Sequence, residues 1–270
     1  MKQRIFEIRK AVTDGHPLVH CITNPISINQ CANAILAIGG RPIMAEHPEE
    51  VAEIAETADA LVLNLGNITD VRMKSMVIAA RTAHTCGIPV ILDAVGTACS
   101  ALRKDFARQL LDSVVPTVVK GNYSEINALY HEHYRATGVD ADRTLSPEAM
   151  EKTAMALSRK LGTTVLATGK QDIITDGMRL GRVRNGTPML SSVTGTGCML
   201  GALCGTYLYG GSGFEAAVSG CVVLGICGEL AQTEKGSGSF LVALMDGLSC
   251  LSDVKIMDMI NLEVLHIGGN

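Results

Sequence analysis

The feature that most constrains the fold is a regular alternation between short apolar runs and longer segments with helical spacing. The runs are rich in β-branched residues and end near Gly, Asn or Asp: PLVHCIT, RPIMA, DALVLNLG, IPVILDAVG, TVVKGN and TTVLATG. Between them, apolar residues recur at helical spacing over 28–38, 48–57, 71–86, 102–113, 123–130 and 147–161, with Pro48 placed at a helix start. Strands that are apolar on both faces and alternate with helices predict an α/β fold: a mostly parallel central sheet with helices on both faces.

The second half of the chain predicts two additions to this sheet. The stretch QDIITDGMRLGRVRNGTPMLSSV contains Asp-Gly and Asn-Gly, which are typical of tight hairpin turns and predict an antiparallel edge. From Gly195 onward the pattern is entirely helical, which predicts a helical C-terminal layer. The polar stretch 131–146 is predicted to be a mobile surface loop. A length of 270 residues with no break in composition indicates a single domain over 1–270.

Composition excludes several classes of function. The net charge is −4 and Lys and Arg are not clustered, so we expect no nucleic-acid partner. No apolar stretch reaches the roughly 18 uncharged residues of a membrane span, and the charged N-terminal segment lacks a signal-peptide core, so we expect a cytoplasmic protein without membrane contact. The nine cysteines are dispersed, odd in number and without CxxC spacing, which disfavours a disulfide framework. A small-molecule partner is expected.

The stretch VTGTGCMLGAL predicts a glycine-rich turn that enters a helix. Backbone N–H groups at a helix start have no intrahelical partner and favour an anion, so Gly195, Thr196, Gly197 and Cys198 can surround a phosphate. The turn matches neither GxGxxG nor the P-loop pattern, and an ordinary turn with a packed cysteine is the alternative. Cys198 can serve as a covalent nucleophile or as the group that accepts a substrate proton, although no local motif supplies an activating histidine.

Ligands of open α/β sheets bind beyond the carboxyl ends of the strands. The residues predicted at those ends are Asn24, Met44, Gly66, Asp93, Lys120, Gly121, Asn122 and Thr168. Asp93 and Glu125 are carboxylates that can hold Mg²⁺ through its water shell. The alternatives are a turn-forming role for Asp93 and a helix-capping role for Glu125 in the N-x-x-E pattern that begins at Asn122.

Other strand-end residues also keep two interpretations. Lys120 is either a phosphate ligand or a solvated lysine. Thr168 either contacts a nucleotide or belongs to a simple turn. Met44 either touches a flat apolar ligand or fills the core.

Five blocks together resemble the hydroxyethylthiazole kinase family of the ribokinase-like superfamily: PLVHCITNPISINQCANAILAIGGRPIMA, ALVLNLGNIT, VVKGNYSEI, VLATGKQDIITDG and SSVTGTGCMLGAL. The resemblance runs from about residue 17 to the C-terminal helices and implies a ribokinase-like fold. It implies phosphoryl transfer from ATP to the hydroxyl of 4-methyl-5-(2-hydroxyethyl)thiazole, with Mg²⁺, in thiamine salvage. It further implies a homotrimer with thiazole sites at subunit interfaces.

The resemblance also assigns roles to individual residues. It implies that Cys198 is catalytic together with the amides of Gly195, Thr196 and Gly197. It implies nucleotide contacts from Lys120, Thr168 and Asn122, thiazole contacts from Met44, Gly195, Asn24 and Gly66, and metal contacts from Asp93 and Glu125. Two alternatives remain open: a related kinase for another small alcohol, such as a hydroxymethylpyrimidine or a sugar, and an ATP-binding regulator without chemistry.

Overall fold

The computed structural model describes residues 1–134, 136 and 145–267 of the chain. The strands are β1 (Leu18–Ile22), β2 (Arg41–Ile43), β3 (Ala60–Asn64), β4 (Val90–Asp93), β5 (Val118–Asn122), β6 (Thr164–Thr168), β7 (Asp172–Thr175), β8 (Arg179–Val183) and β9 (Leu262–His266). The helices are α1 (Lys2–Gly15), α2 (Ile28–Ala37), α3 (Val51–Thr57), α4 (Asp70–Cys86), α5 (Ala101–Ser113), α6 (Tyr123–Tyr130), α7 (Pro147–Leu161), α8 (Thr196–Tyr207), α9 (Gly213–Leu230), α10 (Ser237–Cys250) and α11 (Asp253–Met259). A short 3-10 helix covers Pro188–Ser192.

The strands of the described residues form one sheet in the order β2-β1-β3-β4-β5-β6-β7-β8-β9. Pairing is parallel from β2 to β6 and antiparallel from β6 to β9. The predicted mostly parallel sheet with an antiparallel edge is therefore confirmed.

Two apolar layers cover the two faces of the sheet. One layer packs α1, α2, α8, α9 and α10 against the first face and contains Ile35 and Leu203. The other packs α3 to α7 against the second face and contains Met76 and Ile126. All four side chains are fully buried. Because the central strands β3 and β4 are covered on both sides, their apolar runs are continuous rather than alternating.

Helix α8 lies close to the sheet because its inner face carries glycines one turn apart. A Cβ added at Gly205 would lie 2.4 Å from Cγ2 of Val62 in β3, and one added at Gly201 would lie 3.3 Å from Oδ2 of Asp93 in β4. Only a residue without a side chain permits this approach at Gly205. The helix start is therefore held directly over the ends of the central strands.

Local signals explain why α7 matches its predicted range, whereas α3 does not. Ser146 accepts a hydrogen bond from the N–H of Ala149, proline occupies the first turn, and Gly162 ends α7 in the left-handed region with φ 67°.

The prediction that a helix starts at Pro48 is wrong. Residues 48–50 instead form a turn, in which the N–H groups of Glu50 and Val51 both donate to the carbonyl of His47, and α3 begins only at Val51.

Two other predictions about the C-terminal half are wrong. Asp176-Gly177 joins β7 and β8 as predicted, but Asn185-Gly186 does not form a second hairpin, because the chain continues into the 3-10 helix. The chain after Gly195 is also not entirely helical: β9 pairs with β8. Asn185 instead anchors the segment that enters β9, since its side chain bonds the backbone of Met259 and Asn261. A pairing between Val183 and Leu262 is too distant in sequence for a local pattern to indicate.

Much of the predicted loop 131–146, namely residue 135 and residues 137–144, lies outside the described residues. Of the part that is described, the Lys104 ammonium donates to the carbonyls of His131, Glu132 and Tyr134 and so attaches this end of the loop to α5. Within the described ranges, α9 alone is long and apolar enough to cross a bilayer by length and composition, and 83% of that stretch is buried against the rest of the chain. A core helix meets the same criterion.

Candidate active site

Four polar residues lie side by side across the carboxyl ends of four neighbouring strands. Asn24 follows β1, Asn64 ends β3, Asp93 ends β4 and Lys120 lies in β5. The sheet register pairs Asn64 with Asp93, and Asp93 with Lys120. Paired residues of a parallel sheet point to the same face, so these side chains project together beneath the start of α8. We call Asn24, Asn64, Asp93 and Lys120 the polar row.

The Lys120–Asp93 ion pair lies at one end of the polar row. Lys120 Nζ is 3.0 Å from Oδ1 and 2.9 Å from Oδ2 of Asp93, and both side chains are buried. Burial is the largest single effect and would lower the pKa of Lys120, but the nearby acidic groups, led by Asp93, together outweigh it and the pKa is raised. For Asp93 burial has the opposite effect and raises the pKa, while Lys120 and Asn64 oppose that rise. Contact with both carboxylate oxygens is the geometry of an ionised pair.

Asparagine side chains connect this pair to the thiol. Asn64 Nδ2 donates to Asp93 Oδ2 at 2.9 Å. Asn24 Nδ2 donates to Asn64 Oδ1 at 3.2 Å and to Cys198 Sγ at 3.2 Å. The polar row therefore runs without a gap from the ammonium group to the sulfur.

The predicted glycine-rich turn and its helix are both present. Gly195 precedes α8 in the left-handed region with φ 89°, and α8 begins at Thr196. Cys198 lies in the first helical turn and is partly exposed. The N–H of Met199 is the first in α8 to donate a hydrogen bond within the turn, and its acceptor is the carbonyl of Gly195. The amides before Met199 therefore lie at the helix end that favours an anion.

The start of α8 also lies against the ion pair. A Cβ added at Gly197 would be only 3.6 Å from Lys120 Nζ. The hydroxyl of Thr196 donates to the carbonyls of Leu190 and Val193, so it bonds to the preceding loop. The first turn of α8 thus places backbone amides and one thiol over a buried ammonium that β5 supplies.

Glu125 and Asn122 form a capping box at the start of α6. Glu125 Oε2 accepts the N–H of Asn122 at 2.7 Å, and its Oε1 accepts the N–H of Gly96 at 2.7 Å. Burial is the main cause that raises the pKa of Glu125 to about 7, with a further contribution from Asp93; the two N–H bonds oppose it. The capping interpretation of Glu125 is confirmed, and its metal role stays a prediction.

The remaining predicted residues lie around this centre at different distances. Gly66 belongs to it, because its N–H bonds Asn64 Oδ1 at 2.9 Å and a Cβ there would lie 3.0 Å from Asn24 Nδ2. Thr168 ends β6 in register with Asn122, one strand beyond Lys120. Met44 follows β2 at the opposite end of the row and packs, partly buried, against the core.

The structure changes the sequence-based interpretation at two positions. Lys120 is not the solvated lysine considered above, because only 4% of it is exposed. Asn64 was missed entirely, although it is the polar residue that ends the apolar run DALVLNLG. A polar side chain at the end of a buried strand was the signal that could have identified it.

Two carboxylates are candidates for a metal site. Among the residues that the structure describes, no group of three or more His, Cys, Asp and Glu side chains could form a closed metal cage. Mg²⁺ commonly takes one or two carboxylates and completes its shell with water and phosphate. Asp93 Oδ1 and both oxygens of Glu125 accept one hydrogen bond each, whereas Asp93 Oδ2 accepts two, so lone pairs remain for a hydrated cation on three of the four oxygens. The donor set therefore fits Mg²⁺.

Comparisons with known proteins agree over most of the chain. The sequence model of the hydroxyethylthiazole kinase family matches residues 9–253. Hydroxyethylthiazole kinase 2 of Clostridium botulinum is 45% identical over 262 residues, which covers 95% of this chain and 99% of that protein. The solved structure of a hydroxyethylthiazole kinase protein from Pyrococcus horikoshii is 36% identical with a TM-score of 0.90, and the match covers 98% of this chain and 100% of that one.

A more distant neighbour bears on the fold alone. A pyridoxal kinase from Staphylococcus aureus, solved with AMP-PCP and pyridoxal, superposes with a TM-score of 0.66 at 16% identity over 93% of this chain and 99% of that one. The predicted ribokinase-like fold is confirmed.

Proposed function

The chain belongs to the hydroxyethylthiazole kinase family, and we propose that the start of α8 and the polar row beneath it carry out the family's reaction. The protein transfers a phosphoryl group from ATP to the hydroxyl of 4-methyl-5-(2-hydroxyethyl)thiazole, giving the thiazole phosphate and ADP in thiamine salvage. The observation that carries the proposal is the placement of a partly exposed thiol and a helix N-terminus directly over a buried lysine.

Phosphoryl transfer requires alignment of the alcohol with the γ-phosphate and stabilisation of charge on the transferring oxygens. The amides of Gly195, Thr196, Gly197 and Cys198 supply the second requirement at the N-terminus of α8. Left-handed backbone at Gly195 turns the chain into this position. Because the glycines of this turn have no side chains, a phosphoryl group can approach the amides closely.

Cys198 orients the hydroxyethyl group or accepts its proton. The amide of Asn24 donates a hydrogen bond to the sulfur and so fixes its position. The sulfur lies in the first turn of α8 and is partly exposed, so an alcohol can reach it.

Lys120, Asn122 and Thr168 are proposed to bind the nucleotide. They lie at the ends of β5 and β6, which are adjacent strands. The ammonium of Lys120 has three N–H groups, so its contact with Asp93 leaves at least one for a phosphate oxygen. Gly66, Asn24, Met44 and Gly195 are proposed to border the thiazole.

Asp93 and Glu125 are proposed to hold Mg²⁺ through its water shell. When bound, this ion would neutralise negative charge on the phosphates. The two carboxylates also act without it: Asp93 keeps Lys120 charged, and Glu125 fixes the loop at Gly96 against the start of α6.

We further infer a homotrimer in the cytoplasm, with each thiazole site completed by a neighbouring subunit. Support comes from the apolar side chains of Ile26, Leu36 and Val242, of which 54%, 56% and 62% are exposed. Ile26 lies in the Asn24 loop, and α2 packs against α10.

Light scattering coupled to size-exclusion chromatography tests the mass of the assembly. We expect three chains, and expect Leu36→Asp to give smaller species with lower activity.

Release of ADP tests the function. The protein is mixed with ATP, Mg²⁺ and the thiazole alcohol, and the phosphorylated product is identified by mass spectrometry. ADP formation that requires the alcohol is expected, with a hydroxymethylpyrimidine and a sugar as competing acceptors. Nucleotide binding without alcohol-dependent ADP would instead indicate a regulator, and faster turnover of another acceptor would indicate a related kinase.

A further inference from the structure

We infer that Asn64 is a positioning residue for phosphoryl transfer: its amide joins the Lys120–Asp93 pair to Asn24, and so fixes the donor that faces the sulfur of Cys198. The inference rests on the proposed function, since it adds a residue to the same site. Asn64 does not contact the thiol itself; it acts through Asn24.

The orientation of the Asn64 amide is fixed by backbone. The N–H of Gly66 can only donate, and it lies 2.9 Å from Asn64 Oδ1, so this atom must be the carbonyl oxygen. The NH₂ group is thereby turned toward Asp93 Oδ2, which lies 2.9 Å away and can only accept when ionised. Two independent partners thus require the same orientation.

The Asn24 amide is fixed in the same manner. The N–H of Ser27 donates to Asn24 Oδ1 at 3.1 Å, which turns the NH₂ group inward. Its two protons point to Asn64 Oδ1 and to Cys198 Sγ. The sulfur can therefore act only as an acceptor in this contact, and the second proton of Asn24 remains in place because Asn64 accepts the first.

Burial increases the effect of this arrangement. Only 1% of Asn64 and 5% of Asn24 is exposed, so water does not readily replace a lost partner. A buried network in which every partner is satisfied is rigid, whereas one with a missing member leaves polar groups unpaired. Neither amide releases a proton, so the network holds the thiol and the ion pair in place and does not conduct protons between them.

The test compares three variants in the full-length protein. Asn64→Ala removes the link. Asn64→Asp keeps the oxygen that faces Asn24 and Gly66 but places a second carboxyl oxygen against Asp93. Asn185→Ala is the matched control, because Asn185 is a buried asparagine whose amide, like that of Asn64, bonds a carboxylate. It also bonds two backbone groups, and it lies just after the far strand β8.

Two measurements are made on each variant. The first is steady-state kinetics with the thiazole alcohol, and the second is the pH profile of Cys198 alkylation, followed by mass spectrometry of its own peptide without substrate. For Asn64→Ala we expect kcat to fall about tenfold or more, with KM for the alcohol changed less than about threefold. The alkylation profile moves to higher pH by about half a pH unit or more, because the sulfur loses a fixed donor.

Asn64→Asp gives an independent signature if Asn64→Ala does not fold. The introduced carboxyl can replace the lost donor to Asp93 only when it is protonated, so the ratio of variant to wild-type kcat/KM should rise as pH falls. The inference would be overturned if the Asn64 variants were as stable as Asn185→Ala and kept both the wild-type kcat and the wild-type alkylation profile of Cys198. A wild-type protein that forms no thiazole phosphate would overturn the proposed function instead, while the alkylation profile would still report on Asn64.

Discussion

Asn24 Nδ2 lies 3.2 Å from Cys198 Sγ, although 174 residues separate the two along the chain. The first residue follows β1 and the second lies in the first turn of α8. The position of the thiol is therefore set by two distant parts of the fold rather than by its helix alone. Any alcohol that reaches the sulfur must also approach the end of β1.

Substitution of Cys198 distinguishes a chemical role from a packing role. Cys198→Ala should lower kcat by about 10²-fold or more, because no group remains to orient or deprotonate the alcohol. Cys198→Asp should retain substantial turnover, since a carboxylate can accept the same proton. Initial rates at saturating ATP and alcohol test both. Cys86→Ala, at an exposed cysteine at the end of α4, is the control and should match wild type. Equal rates for Cys198→Ala and wild type would contradict the role.

The Lys120–Asp93 pair should show strong coupling in a double-mutant cycle. Lys120→Met or Asp93→Asn alone leaves a buried charge without its partner and should destabilise the fold by about 3–5 kcal/mol. The double variant should lose less than the sum of the single losses, because both charges are gone. Urea unfolding measures all four proteins. Additive losses would show that the two side chains do not interact. Activity should be absent in the two variants that lack Lys120, since phosphate binding needs the ammonium. It should also be absent in Asp93→Asn, which loses a carboxylate proposed to hold Mg²⁺.

Local patterns predicted those parts of the site that depend on neighbours in sequence. The Gly195 turn that starts α8 and the capping box of Asn122 and Glu125 each lie within four residues, and all are present. The ranges of α6 and α7 match for the same reason, because their caps lie within three residues of the helix start.

The parts that were missed depend on the order of strands in the sheet. Lys120 is buried because β5 lies beside β4, which carries Asp93. Asn64 gains its role only because β3 lies between β1 and β4. Strand β9 pairs with β8, although helices α8 to α11 separate the two strands along the chain. Each depends on contacts between distant segments, which hydrophobic periodicity does not specify.

Glu125 should make stability depend on pH below neutrality. Its pKa is raised by burial from an ordinary value of 4.5 to about 7. Between these two pH values the folded protein keeps the carboxyl proton of Glu125, whereas the unfolded chain has released it. The associated stability is fully present below about pH 4.5 and is lost as pH rises to about 7, by roughly 3 kcal/mol. Urea unfolding at several pH values measures the slope. Glu125→Gln should remove that part of the slope, and an identical slope in the variant would contradict the assignment.

The close approach of α8 to the sheet should make glycine essential on its inner face. A methyl group at Gly205 would lie 2.4 Å from Val62 Cγ2, so Gly205→Ala must displace the helix or the strand and should cost about 1–3 kcal/mol. Gly238→Ala is the control. Apart from its chain neighbours and the backbone of its own helix, no described atom lies within 4 Å of a Cβ at this position in α10, and alanine should be neutral or stabilising there.

Activity should respond to the same displacement, because α8 carries the amides and the thiol. We expect kcat of Gly205→Ala to fall further than its loss of folded protein explains, while Gly238→Ala keeps the wild-type value. Rates normalised to the folded fraction from circular dichroism decide this. A Gly205→Ala protein with wild-type stability and turnover would show that the helix can move off the sheet without harm. The amides of Gly195 to Cys198 would then not require the precise placement over Lys120 on which the proposed chemistry depends.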